Sequence, residues 1–98
     1  MNRAELQATS EAFIRETLRK HLQGNVPVYL FGSRARNTAR WNSDYDLWID
    51  VDLPCALIAG IQDELDESFV PFKVDIVITP TLRGKFGEIV KSEARQWM

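Results

Sequence analysis

One cysteine, Cys55, is the only thiol in this 98-residue chain. An internal disulfide is therefore excluded, and such cysteine usage agrees with a reducing, cytoplasmic compartment. Long apolar runs are missing too, so no segment approaches the length of a membrane span. The first residues, Met1-Asn2-Arg3-Ala4-Glu5, lead into a charged amphipathic segment with no apolar stretch, and no secretory signal is expected. Charge of one sign is scarce: 12 basic residues against 14 acidic ones leave a net charge of −2, which gives no general attraction to nucleic acid or to acidic membranes. Repeats, low-complexity tracts and linkers are also lacking, which predicts one domain over residues 1–98. A hydrophobic content of 45% and a charged content of 27% are ordinary for a soluble globular protein. A chain of this size can bury roughly two-thirds of its unfolded surface without a metal or disulfide staple.

From Asn2 to Leu22 the residues Leu6, Phe13, Ile14, Leu18 and Leu22 fall mostly at helical spacing. Asn2 and Glu5 can form a capping box, and Gly24 is a plausible terminator. Val26 to Phe31 is short, β-branched and aromatic, with an early Pro27 that a strand tolerates near its start. A helix of one to two turns is expected from Ser33 to about Ala39, then a polar turn at Trp41-Asn42-Ser43. Next, Tyr45, Leu47, Ile49 and Val51 alternate with Asp44, Asp46, Trp48, Asp50 and Asp52, the period of a strand with one core face and one acidic face. Pro54 reads as a first helical residue after an Asp52 cap. Leu57, Ile58, Ile61, Leu65 and Phe69 continue as a helical stripe that Pro71 ends. The interleaved acids Asp63, Glu64, Asp66 and Glu67 read as a solvated face. Phe72, Val74, Ile76 and Ile78 give a third strand with Lys73, Asp75 and Val77 on its other side. Leu82, Phe86, Ile89, Val90 and Trp97 suggest a last helix, weakened by Gly84 and Gly87.

The order helix, strand, short helix, strand, helix, strand, helix predicts an α/β (α+β) fold, a small mixed three-stranded sheet covered by helices. A short connection makes the first two strands antiparallel, so Ser33 adjoins Asp44 and Asp46. A right-handed helical crossover returns strand three parallel to strand two and lands Asp75 near Asp46. Asp44 and Asp46 share a strand face with Cα atoms roughly 6.5–7 Å apart, which suits two divalent cations about 3.5–4 Å apart. The N–H groups freed where the first strand stops at Gly32-Ser33, with the Ser33 hydroxyl beside them, suit phosphate oxygens. A phosphate cradle and a carboxylate pair at one sheet edge suggest nucleotidyl transfer. Taken singly, Asp44 and Asp46 also read as solvated acids at a strand start, and Asp75 as an exposed partner of Lys73.

Gly32-Ser33, ten residues, then Asp44-Tyr45-Asp46 resembles the signature of the minimal nucleotidyltransferase (MNT) proteins of the DNA polymerase beta superfamily. The flanking Gly-Ser-Arg-Ala-Arg and Asn-Ser-Asp-Tyr-Asp-Leu fit as well, and Asp75 matches the family's third carboxylate. Asn37 departs from a frequent glycine but tolerates the same left-handed backbone. The resemblance implies two Mg²⁺ ions held by Asp44, Asp46 and Asp75, which form the catalytic set, and ATP as donor. Gly32 and Ser33 would hold its phosphates, with Arg34 and Arg36 as candidate neutralisers. It also implies an antitoxin that adenylylates a tyrosine of a HEPN-domain ribonuclease toxin. Three alternatives stay open: a catalytically silent antitoxin that works by contact, a small-molecule nucleotidyltransferase, and a nucleic-acid-binding domain using Arg34, Arg36 and Arg40. Trp41, Trp48 and Trp97 are candidate interface residues, Trp41 with the Arg34–Arg40 segment against a toxin partner.

Overall fold

A computed structural model describes all 98 residues, Met1–Met98. Helix α1 (Arg3–His21) begins at Asn2, whose side chain accepts from the Glu5 N–H at 2.8 Å while its amide donates to Glu5 Oε1 at 2.9 Å. The first bond is that of the capping box expected from the sequence, while in the second the Asn2 side-chain amide takes the place of its backbone N–H. The helix ends at Leu22, which turns extended two residues ahead of Gly24. Strand β1 (Val28–Phe31) follows Pro27, and strand β2 (Tyr45–Ile49) runs antiparallel to it with Val28 opposite Ile49 and Phe31 opposite Asp46. Helix α2 (Cys55–Asp66) crosses over to strand β3 (Val74–Ile78), which pairs parallel to β2. Helix α3 (Gly84–Glu93) then leads to strand β4 (Arg95–Gln96).

The sheet has four strands in the order β3-β2-β1-β4, not the expected three. Trp97 sits at the right spacing to prolong the last helix, but Ala94 is extended and the chain turns back along the open edge of β1. There the N–H groups of Trp97 and Met98 donate to the Val28 carbonyl, and the Val28 N–H donates to Met98. An unsatisfied strand edge offers hydrogen bonds that another helical turn does not. The Trp97 ring adds its own contacts, lying beside Tyr45 with the Arg15 guanidinium 4.0 Å from its centre.

Other boundaries shift for local reasons. The short helix expected over Ser33 to Ala39 is a single 3₁₀ turn, Gly32–Arg34, because the N–H groups of Ala35 and Arg36 both return to the Gly32 carbonyl. Asn37 then takes φ 59°, the left-handed conformation that asparagine tolerates. Pro54 caps α2 in place of Asp52, and α2 stops at Asp66, well before Pro71. Ser68 ends it, donating to the Leu65 carbonyl at 2.6 Å and accepting from the Val70 N–H. Gly87 of α3 is pressed against the Leu82 backbone, where a Cβ would collide, so its low helix propensity is the condition of close packing.

Alternation in β2 divides the sheet. Tyr45, Leu47 and Ile49 are essentially buried, and with Ile14, Leu18, Val28, Ile61 and Leu65 they form the core beneath α1 and α2. Asp46 and Trp48 point to the other face. The two helices are tied at their ends by Glu64, which meets Lys20 and His21 at 2.8 Å each, and Phe69, just beyond α2, packs edge-to-face on Phe13 of α1. Glu64 so held belongs to a solvated, ion-paired face, as the acidic run in α2 predicts. Tyr45 anchors β2 to α1 through its hydroxyl, which donates to Glu11 Oε2 at 2.7 Å. Burial and that carboxylate push the phenol's pKa well above its ordinary value. Tyr45→Phe should therefore cost roughly 1–2 kcal/mol of stability, seen in a thermal melt as a Tm lowered by about 4–16 °C.

Candidate active site

Three chain segments meet on the sheet face away from α1 and α2. The parallel register sets Asp46 directly beside Asp75, and the antiparallel register sets Phe31, the last residue before Gly32, directly beside Asp46 on its other side. Asp44 precedes β2 by one residue, in a segment pinned to β3 where the Tyr45 N–H donates to the Lys73 carbonyl at 2.9 Å. The carboxylates predicted to converge are thus brought onto adjoining strands beside the Gly32-Ser33 turn.

Gly32 is required by two facts at once. Its φ is +75°, and a Cβ there would overlap Asp46 Oδ2. The backbone turn and the central carboxylate share the space that a side chain would fill. Beyond it, in the 3₁₀ turn, the Ser33 N–H has no side-chain partner and the Ser33 hydroxyl makes no bond within the protein. The Gly32 N–H, however, donates to Glu93 Oε2 at 3.0 Å.

Like charge dominates the site. Burial first, then Asp75, Asp44 and Glu93, raise the Asp46 pKa, with Arg36 opposing them. Asp75 lies 3.7 Å from Lys73 Nζ, a pair too exposed to count for much. Asp44 is exposed. No three acidic, histidine or cysteine side chains are drawn together closely enough to hold a metal ion as they stand. The donor set is nonetheless all oxygen, the chemistry that Mg²⁺ selects. Asp46 carries an electrostatic cost that a cation between it and its neighbours would relieve.

The two candidate arginines part company. Arg34 lies over the rings of Tyr45 and Phe72, 4.0 and 5.0 Å from their centres, and donates to the carbonyls of Ser43 and Trp41. It belongs to the far side of the sheet and braces the turn before Asp44. Arg36 stays at the cradle, 2.6 Å from Glu93 Oε1. Trp48 shares the carboxylate face, where it stacks on Tyr29 at 4.7 Å. Its indole N–H donates to Thr79 Oγ1, which donates to Asp50 Oδ1. Trp41 is partly exposed in its turn, edge-on to Phe72 with Arg3 above it.

The profile of the family described as "Polymerase beta, Nucleotidyltransferase" matches residues 13–95, which include the Gly32-Ser33 turn, the three aspartates and Arg36. The chain belongs to the polymerase beta nucleotidyltransferase family. Among relatives of this nucleotidyltransferase is the "Probable protein adenylyltransferase MntA" of Haemophilus influenzae, 32% identical over 91 residues, spanning 90% of this chain and 80% of the relative. A solved toxin–antitoxin structure with AMP-PNP superposes with a TM-score of 0.70 at 25% identity, covering 89% of this chain and 72% of that one. A structure assigned provisionally to the minimal nucleotidyltransferases gives 0.66 at 30% identity, covering 97% and 95%. Both share the mixed sheet and helices found here.

Glu93 is the site residue that sequence reasoning missed. It lies 61 residues from Gly32 in a charged stretch of helix with nothing to set it apart, and only the closure of α3 onto β1 brings it to the cradle. A cavity of about 510 Å³ lies on the other side of the sheet among Gln7, Glu11, Arg40, Trp41, Tyr45 and Trp97. Neither Ser33 nor any of the three aspartates lines it. The chemistry of the chain sits on an open face.

Because the folded state raises the Asp46 pKa, folding holds its proton more tightly, and ionising Asp46 costs stability as pH rises through that raised value. Asp46→Asn should accordingly raise the Tm in metal-free buffer at neutral pH. The advantage should fade below about pH 4, where the carboxyl is protonated whether folded or unfolded. Gly32→Ala should instead lower stability by about 1–2 kcal/mol for its left-handed backbone alone, and thermal melts across pH check both.

Proposed function

We propose that this nucleotidyltransferase transfers AMP from ATP to a hydroxyl of a partner protein, a tyrosine of a HEPN-domain ribonuclease toxin, and so acts as its antitoxin. The observation that carries the reading is the side-by-side register of Asp46 and Asp75 next to a glycine turn whose Ser33 hydroxyl has no partner in the protein. The adenylyltransferase relative and the AMP-PNP-bound toxin–antitoxin neighbour support the donor and the class of partner.

In this reading Ser33, through its hydroxyl and N–H, holds the outer phosphates. Arg36 supplies positive charge nearby. Asp44, Asp46 and Asp75 would hold two Mg²⁺ ions, which would neutralise phosphate charge and polarise the reacting oxygens. Asp75, on the outer strand, accepts the acceptor hydroxyl's proton. The acceptor oxygen bonds the α-phosphorus in line as the bond to the β-phosphate oxygen breaks, and pyrophosphate leaves. The Arg34 side chain lies away from the phosphates, since its Nε and Nη2 donate to the Trp41 and Ser43 carbonyls on the far side of the sheet. The open face favours a protein acceptor, whose own surface forms the other wall of the cleft; a small molecule would need a pocket.

Co-expression with the neighbouring gene product, then intact-mass measurement under ATP and Mg²⁺, tests the reading. One or more AMP units should appear on the partner. Asp75→Ala should slow their appearance by at least ~100-fold, the loss typical of removing one transition-state contact. A tight complex that stays unmodified would instead identify an antitoxin acting by contact alone.

A further inference from the structure

Glu93 raises a question that nucleotidyl transfer does not answer. The site must receive a polyanion and already holds three aspartates, yet the last turn of α3 brings a fourth carboxylate to it. Glu93 is only 17% exposed and uses both oxygens: Oε2 accepts from the Gly32 N–H at 3.0 Å and Oε1 from Arg36 Nη1 at 2.6 Å. Those bonds hold its pKa below the usual carboxylate range, the Gly32 contact contributing most. Its charge meanwhile acts against Asp46.

A backbone N–H at a glycine turn and an arginine fork are the donors that bind phosphate oxygens. A carboxylate oxygen is the same kind of acceptor with less charge. We infer that Glu93 occupies the triphosphate cradle of the nucleotide-free protein, and that an arriving triphosphate takes over the Gly32 N–H and Arg36 as the Glu93 side chain withdraws. The inference rests on the nucleotide reading above and adds to it a residue that sets nucleotide affinity.

Two consequences follow from the geometry. Glu93 keeps Gly32 and Arg36 arranged for an anion while the site is empty, so the cradle does not collapse. Any ligand must also exceed what the carboxylate already gains, which a triphosphate with its metal can do and a single inorganic phosphate cannot. Glu93 thereby discriminates by charge before any chemistry occurs.

Calorimetric titration with Mg²⁺ and a non-hydrolysable ATP analogue separates this from a purely structural role. Glu93→Gln should bind the analogue roughly tenfold more tightly than the unaltered chain, while melting at a lower temperature when free of nucleotide. Glu93→Asp, which keeps the charge on a shorter arm, should shift affinity the same way and serves if the glutamine variant folds poorly. Adding Arg36→Ala to Glu93→Gln should cancel the gain. A strut that merely shapes the cradle would give weaker binding in both Glu93 variants. Unchanged or weaker binding by them, with the unaltered chain still binding, overturns the role of Glu93 alone. Failure of all the proteins to bind overturns the nucleotide reading together with it.

Discussion

Everything at the carboxylate face depends on the pairing of β2 with β3 in a register that sets like charges side by side. Asp46 opposite Asp75 is an unfavourable cross-strand pair. It persists because the other face of β2 leaves no choice: Tyr45, Leu47 and Ile49 are essentially buried. Slipping β2 by one residue would turn those three outward and drive Asp46 and Trp48 into the core, a far larger cost than repulsion between two half-exposed acids. Core burial thus holds together charges that would otherwise separate. The resulting electrostatic strain is what a bound cation would release.

Much of this was legible in the sequence because it rests on period and spacing. The two-residue alternation from Asp44 to Asp52 gave the faces of the sheet, the Asn2–Glu5 cap gave the start of α1, and the crossover rule placed Asp75 beside Asp46. Less was readable where a long-range bond outweighed local propensity. Trp97 fits a helix by spacing but is claimed by the edge of β1, and Glu93 has no local mark at all. The arginines show the same limit from the other side. Three clustered cations look alike in sequence, yet Arg34 is spent on carbonyls and aromatic rings while Arg36 meets a carboxylate at the cradle.

Tyr45 deserves a place in the account of the site although it never faces it. Lying between Asp44 and Asp46 in sequence, it packs against Phe72 and Trp97 and ties β2 to α1 through Glu11. The carboxylates on either side inherit their position from a buried ring. Precision at an otherwise exposed face comes from packing on the opposite one.

Strand β4 is only two residues long, yet it covers one edge of the sheet at Tyr29 and Leu30. The opposite edge belongs to β3, the strand that carries Asp75. An extended segment from another polypeptide could lengthen the sheet on that side by backbone pairing that ignores side-chain identity. Whatever approaches along that border meets Lys73 first, a charge of the kind that discourages indiscriminate strand addition. The border nearest the chemistry is thereby a place where self-association and recognition compete for the same backbone.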